Sequence, residues 1–555
     1  MFALNNYAIL EQNRDNHASL SHSITSLFNK LRVLLPITMT NRSYLIGVDI
    51  GTTSTKAALF TETGDLITQH SVEYPLSTPI LGAAEQEPED IWTAVITSVK
   101  TLIETSKINT SQLLCLSFSA AMHSLIAIDQ KGQPLTKCIT WADTRSAKWA
   151  TQLQQTPKGH EIYRRTGTPI HAMSPLVKLI WLRNEHPEIF KQAAKFISIK
   201  EFIFYRFFQQ YLVDYSIASA TGLMNLKNLS WDKKALLVAG ITEQHLSKLV
   251  PTTHIVEQIS PASASEMGIP VNTLIVMGAS DGVLANLSVG AITPSSVAVT
   301  VGTSGAVRAV VKEPWTDPEQ RLFCYALTEN YWVIGGAVNN GGVVLQWIRN
   351  LFGETEVSTS NNHEKDSYNL LLNLAESVVP GAEGLIFHPY LTGERSPIWD
   401  ANATGSFVGL TLRHTKAHLV RAVLEGMALN LNFVLQALQE HIGKPTTIQV
   451  TGGLANSPLW RQILADVFAQ EITVSAGYES SCLGAVILGL YALQKIQSLE
   501  EETQIHKTSQ QHQPIQQNVD TYQKIMRLYA QILDSLQPQY ASIRQLQQAL
   551  NHLYK

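Results

Sequence analysis

One short pattern, present twice, constrains this chain more than any other feature. An apolar, β-branched run, Tyr44-Leu-Ile-Gly-Val-Asp-Ile50, ends in Gly51-Thr-Thr-Ser54, and a second such run follows from Thr55 to Phe60. Far downstream, Ser296-Val-Ala-Val-Thr-Val301 leads into Gly302-Thr-Ser-Gly305, and Ala306 to Val311 returns as a strand. A glycine-threonine turn between two β-branched runs is a tight hairpin. One such hairpin arises easily by chance. Two, each heading a region of mixed helix and strand signals, imply two related α/β domains facing each other across a cleft.

The flanking segments extend this frame. A Gly64-Asp65 turn and a third run, Leu66 to Val72, complete an antiparallel meander. Glu89 to Glu104 has the spacing of an amphipathic helix, and Leu113 to Ser119 is another strand. At 555 residues the chain exceeds one compact core. We expect a first domain over 44–292 and a second over 293–499, with the break between Gly290 and Ser296. Leu483 to Leu493 is too short to span a bilayer and reads as a buried helix. Glu500 to Gln517 is polar and Gln-rich, hence expected as loop, and Val519 to Leu553 as a helix packed on the second domain. Residues 1–43 are rich in Ser, Asn and Leu, and Met39 stands just before the first strand. We expect them outside the fold, as a disordered extension or a misassigned start, with no clean signal-peptide pattern.

Composition narrows the function classes. With 45% hydrophobic and 15% charged residues the chain is too apolar for disorder, and its net charge of −4 recommends neither nucleic acid nor an anionic membrane as partner. Cys115, Cys138, Cys324 and Cys482 are scattered, without disulfide or zinc spacing. They are expected to be reduced, buried thiols of a cytoplasmic protein.

No Walker-type phosphate loop and no dinucleotide-binding glycine pattern occurs after any strand. Asp49-Ile-Gly-Thr-Thr-Ser-Thr-Lys56 remains as the phosphate candidate. Gly51 lets the backbone approach an anion, the amides and hydroxyls after it can donate to phosphate oxygens, and Asp49 is placed to hold hydrated Mg²⁺. A purely structural hairpin is the competing reading, and the second hairpin weakens it, since two opposed hairpins can clamp one polyphosphate. A further carboxylate lies in Gly278-Ala-Ser-Asp281-Gly282, after the apolar strand Leu274 to Met277. Asp281 either takes a proton from an acceptor hydroxyl or caps the helix that starts at Gly282.

Together these stretches resemble the FGGY carbohydrate kinases, which share the actin/hexokinase-type (ribonuclease H-like) fold. Both family signatures are recognisable, one in Met173-Ser-Pro175-Leu-Val-Lys178-Leu-Ile-Trp181-Leu-Arg-Asn-Glu185, the other in Gly405-Ser-Phe407-Val-Gly409-Leu410 through His418-Leu419 to Glu425. By spacing, Trp181 belongs to a core and Glu425 to a helix interior, so both stretches identify the family rather than the chemistry. The resemblance implies ATP and Mg²⁺ as cofactors, Asp281 as catalytic base, and Asp49 as the metal residue acting through water. It places Gly51, Thr52, Thr53, Lys56, Gly302, Thr303, Gly342, Gln346, Gly453 and Asn456 at the nucleotide, with Lys56 the least constrained because its strand face is open. For the substrate it implies Met122 and His123 of Ala120-Ala-Met-His-Ser124, Arg145 of Trp141-Ala-Asp-Thr-Arg145, and Asp281. Gly335-Gly336 and Gly381 to Gly384 are candidate hinges for closure.

The wording of these stretches, with Val213 to Gly222 and Ser280 to Asn286, looks like the gluconate branch. That implies phosphorylation of D-gluconate at its 6-hydroxyl, with Arg145 as the cation for the carboxylate. A kinase for xylulose or another pentulose is the nearest alternative. Glycerol kinases carry Arg-Glu where this chain has Met122-His123. From other classes, an actin/Hsp70-like ATPase would need neither Asp281 nor Met122-His123, and a silent sugar-binding regulator would not need the intact carboxylates. A homodimer is compatible with all of these readings.

Overall fold

The computed structural model describes residues 43–352, 363–475, 480–504 and 508–553. The expectation for residues 1–43 therefore lies almost wholly outside the described part. The first sheet contains β1 (Tyr44–Ile50), β2 (Ser54–Thr61), β3 (Leu66–Glu73), β4 (Leu113–Ala120), β5 (Ile255–Val256) and β6 (Leu274–Ser280), in the order β5-β6-β4-β1-β2-β3. Helix α1 (Pro88–Ser106) makes the crossover from β3 to β4 and packs on β2 and β3. Strand β1 is central, and Leu45, Ile46, Val48 and Ile50 are fully buried, as a strand covered on both faces requires.

The second sheet contains β7 (Ser296–Val301), β8 (Gly305–Val311), β9 (Phe323–Ala326), β10 (Trp332–Val338), β11 (Thr447–Thr451), β12 (Ile472–Ser475) and β13 (Thr508–His512). Its order is β9-β10-β8-β7-β11-β12-β13. Read outward from the meander, both sheets run three antiparallel strands, two parallel ones and an antiparallel edge. The hairpin expected twice in the sequence thus heads the same topology twice, with β9 as an addition.

Helices α2 (Pro175–Glu185) and α3 (Asp281–Leu287) belong to the first half and α4 (Gly342–Phe352), α5 (Lys416–Ile442), α6 (Pro458–Phe468) and α7 (Ser481–Ala492) to the second, and α3 and α7 pack on each other. Helix α7 is the expected buried helix, yet it packs on β1, β4 and α3 of the first half. Glycine makes that approach feasible. A Cβ on Gly47 would stand 2.2 Å from the Cys482 carbonyl oxygen, and one on Gly484 would stand 2.1 Å from that of Leu284.

Three expectations need correction. The Gln-rich stretch includes β13, because an edge strand needs only backbone pairing and tolerates polar side chains. The last helix is two, α8 (Gln516–Leu536) and α9 (Tyr540–Leu553), parted by a 3₁₀ turn at Gln537–Gln539 containing Pro538, which cannot continue a helical hydrogen-bond ladder. Gly335 and Gly336 are no hinge but the middle of β10, where a Cβ on Gly336 would stand 2.0 Å from Ser396 Oγ. Glu425 is structural: its Oε1 accepts from Arg421 Nε at 2.6 Å, Tyr522 Oη at 2.7 Å and the Gly381 amide at 2.9 Å, tying α8 to α5.

Among the described residues no helix is long and apolar enough to cross a membrane. All four cysteines are buried and unbonded to one another. Overpacking the glycine seam should destabilise the fold: Gly484→Ala is expected to cost about 1–3 kcal/mol in chemical denaturation. Gly302→Ala, where a Cβ meets nothing within 4 Å, should change stability by less than about 0.5 kcal/mol.

Candidate active site

The two hairpins are built alike. In the first, the Gly51 amide donates to the Ser54 carbonyl at 3.0 Å, and Tyr74 Oη donates to the Gly51 carbonyl at 2.7 Å. Thr52 is held from the side, its carbonyl accepting from Gln86 Nε2 at 2.6 Å and its Oγ1 from Trp141 Nε1 at 2.9 Å. In the second, the Gly302 amide donates to the Ser304 carbonyl at 2.9 Å. The first amides of α4 secure that turn: Gly342 donates to the Gly302 carbonyl at 2.7 Å and Val343 to the Thr303 carbonyl at 3.1 Å.

Two cavities meet at Gly302, which lines both. The larger, about 700 Å³, is lined by Gly302, Thr303, Gly342, Gln346, Gly453 and Asn456, six of the ten residues expected at the nucleotide. Leu345, Leu372, Leu454, Leu459 and Tyr368 give it an apolar wall suited to a flat heteroaromatic ring. Thr52 lines the smaller cavity instead, and Gly51, Thr53 and Lys56 line neither. Lys56 pairs with Asp49 across β1 and β2, so both side chains emerge on one face of the sheet.

The smaller cavity, about 280 Å³, lies between the halves. Thr52, Met122, His123, Trp141 and Asp281 come from the first, and Ser304, Arg308, Tyr325, Arg395 and Trp399 from the second. Asp281 is the first residue of α3, and its Oδ1 accepts from the next amide, Gly282, at 2.7 Å. The cap position of this helix is Ser280, so Asp281 is the first helical residue rather than the cap, and it lines the cavity. Burial, and then the charge of Asp49, push its carboxyl up to about 6.

His123 has a left-handed backbone, φ 69°, and Lys178 supports it, with Nζ donating to the His123 carbonyl at 2.6 Å and to the Thr140 carbonyl at 2.7 Å. The ring Nδ1 lies 2.7 Å from the Ala220 carbonyl, which can only accept, so Nδ1 carries the proton and Nε2 is left as an acceptor. Burial first, and the Lys178 charge second, pull its pKa down to about 3, so the ring is neutral at physiological pH.

Arg145 is the expectation that the geometry does not support. Its Nη2 lies 2.5 Å from Glu85 Oε1 and 2.7 Å from Asp143 Oδ2, and its guanidinium covers the Trp181 ring at 4.6 Å. It does not line the cavity. Trp181 is core, as its spacing suggests. The cations that do line the cavity, Arg308 and Arg395, went unnoticed in the sequence, although each left a signal. Arg308 is a lone charge inside the apolar run Ala306 to Val311, and Arg395 follows Glu394 in an otherwise weakly charged stretch. Glu394 is fully buried and anchors that loop, accepting from the Asn339 amide, Asn340 Nδ2 and Asn430 Nδ2. Arg395 lies over the Trp141 ring at 5.0 Å.

Asp49 meets the requirement for a hydrated divalent ion. Ser119 Oγ holds its Oδ1 at 2.6 Å, and among the described residues no cluster of three or more His, Cys, Asp or Glu forms a protein cage. A single carboxylate beside phosphate-binding turns is how Mg²⁺, which keeps most of its waters, is commonly held.

Comparisons with known proteins agree with this architecture. Residues 44–288 match the N-terminal domain, and residues 297–493 the C-terminal domain, of the FGGY family of carbohydrate kinases. The chain is 51% identical over 510 residues to a gluconokinase of Bacillus licheniformis, covering 92% of this chain and 99% of that one. It is 30% identical over 496 residues to a xylulose kinase of Staphylococcus epidermidis, covering 88% and 96%. The crystal structure of a gluconate kinase from Lactobacillus acidophilus superposes with a TM-score of 0.85 at 37% identity, covering 90% of this chain and all of that one. A ligand-bound structure described as a xylulose kinase from the same organism matches equally well.

Arg145→Met should therefore act on stability rather than on acceptor binding. The pair is partly open to solvent, so a loss of about 1–3 kcal/mol is expected in thermal or chemical unfolding. The acceptor KM should stay within about twofold of the parent value.

Proposed function

The chain belongs to the FGGY family of carbohydrate kinases, and from that premise we propose that it transfers the terminal phosphoryl group of ATP to the 6-hydroxyl of D-gluconate, giving 6-phosphogluconate. The observation that carries the reading is the junction at Gly302, where a large apolar-walled cavity opens onto a small polar one containing Asp281. A donor phosphate at that junction has its acceptor on the other side. The 51% identity to a gluconokinase, against 30% to a xylulose kinase, supports gluconate over a ketose. The equal structural match to a protein described as a xylulose kinase favours xylulose as the second reading. ADP release measured over gluconate, xylulose, ribulose, glycerol and fuculose separates them, and preference for a ketose would overturn the assignment.

Phosphoryl transfer asks a protein for positioning, charge neutralisation and a proton acceptor. In this reading residues 44–292 form the sugar-binding half and 293–499 the nucleotide half. Asp281 takes the hydroxyl proton as the acceptor oxygen attacks the terminal phosphorus and the bond to ADP breaks. His123, through its unprotonated Nε2, accepts a hydrogen bond from a substrate hydroxyl, and Met122 closes the apolar side. The open backbone at Gly302 and Thr303 holds the phosphates, while Gly342, Gln346, Gly453 and Asn456 border the nucleoside. Gly51, Thr52, Thr53 and Lys56 close on the phosphates from the opposite half. Asp49 would hold Mg²⁺ through water, and the ion would supply neutralisation of phosphate charge. Enclosure between the halves keeps water from the phosphorus.

Asp281→Asn keeps the helix start but removes the base, so kcat should fall by roughly 10²- to 10⁴-fold while nucleotide affinity changes little. Near-normal kcat would remove Asp281 from that role. Asp281 must be ionised to accept a proton, and its pKa is raised to about 6. The kcat/KM profile should therefore be flat near neutrality and fall tenfold per pH unit below about pH 6. Asp49→Ala should raise the Mg²⁺ concentration needed for half-maximal rate by about tenfold or more, and an unchanged metal titration would count against it.

A further inference from the structure

We infer that Arg308 binds the carboxylate of the acceptor and so selects a sugar acid over a neutral polyol or ketose, an inference that rests on the kinase reading above. Arg308 lies on β8, three residues beyond the second hairpin, and lines the acceptor cavity together with Asp281 and His123 but not the larger cavity. Its Nε and Nη1 are out of reach of solvent and have no hydrogen-bond partner. That is costly in an interior, where an unmatched charged donor loses its hydration and gains nothing in return.

Other arginines of this fold are matched. Arg145 has Asp143 and Glu85, Arg321 has Asp317 and Glu440, and Arg421 has Glu425. Arg395, on the same cavity, donates Nε to Asn339 Oδ1 at 2.7 Å and Nη2 to the Val338 carbonyl at 3.2 Å. Among the described residues no carboxylate forms an ion pair with Arg308.

The surroundings leave Arg308 room rather than a partner. A Cβ on Gly282 would stand 3.4 Å from Arg308 Nη2, and one on Gly335, its cross-strand neighbour, 2.9 Å from Arg308 Cα. Gly335 thus lets the strands approach closely at the Arg308 backbone, and Gly282 keeps a side chain away from the guanidinium. The cavity presents two guanidinium groups, Arg308 and Arg395, against the single carboxylate of Asp281. A neutral acceptor leaves Arg308 orphaned. An acceptor carrying a carboxylate supplies the planar pair of oxygens that a guanidinium fork matches. A transferring phosphoryl group is the other oxyanion of the same cavity, and binding measured without nucleotide separates the two.

Isothermal titration without nucleotide tests this, comparing D-gluconate with D-gluconamide, which has the same carbon chain without the charge. The parent protein should bind gluconate at least tenfold more tightly than gluconamide. Arg308→Gln should weaken gluconate binding about 100-fold and gluconamide binding only severalfold, so that the preference disappears. Arg308→Lys, which keeps the charge but not the fork, should retain part of the preference and guards against a misfolded Gln variant, as does a thermal melt of each protein. Equal binding of the two ligands by the parent, or equal losses for both in Arg308→Gln, would overturn the inference. So would unchanged binding with a collapsed kcat, the signature of a group acting on the phosphoryl instead. Failure of the parent to release ADP with gluconate would count against the proposed reaction alone, since the binding ratio judges Arg308 without turnover.

Discussion

Backbone lying directly on backbone is the constraint on which the rest of this molecule depends. Helix α7 comes from the end of the second half, but its first turn rests on β1 of the first, with Cys482 over Gly47 and Gly484 over Leu284. Contacts at that range exist only where a side chain is missing. They join β1, which leads into the first hairpin, to the half that carries the second. The two glycine-threonine turns face one cavity, Thr52 from one side and Gly302 from the other, across this seam.

The chemistry of the cleft follows from how little its charges are allowed to do. Burial, and then the repulsion of Asp49, make the Asp281 carboxyl hold a proton more readily than an exposed one, against the single backbone amide of Gly282, which suits the proton-accepting role proposed for it. His123 is fixed in one tautomer by Ala220 and is neutral, an acceptor and nothing else. Lys178 spans the His123 and Thr140 carbonyls, so this lysine of the signature is tied to backbone. The signature supports the wall of the smaller cavity through Lys178 and lines it at Met173.

Legibility differed from residue to residue for physical reasons. Asp281 could be read because a carboxylate directly after an apolar strand emerges at the sheet's edge whatever the fold around it. Gly302, Gly342, Gln346, Gly453 and Asn456 could be grouped because the family resemblance set them together, and they line one cavity. Arg145 was misjudged and Arg308 missed for one shared reason. An arginine near a motif and an arginine inside a strand carry the same charge in one dimension, and only the packing shows which has been neutralised. Glu85, far from Arg145 in sequence, claims it, while Arg308 Nε and Nη1 have no hydrogen-bond partner. The edge strand β13 was hidden because its pairing is made by backbone, which leaves no trace in side-chain periodicity.

The sequence by itself determined the class of fold, its duplication, the pair of glycine-threonine turns and a carboxylate at a strand end, since each is written in local runs of residues that behave alike in any context. Tertiary structure alone decided which half α7 belongs to, which cations face the acceptor, and where the two cavities join. Those outcomes depend on contacts between residues hundreds of positions apart, and free energies of that kind are set by burial and partner choice rather than by any neighbouring residue in the chain.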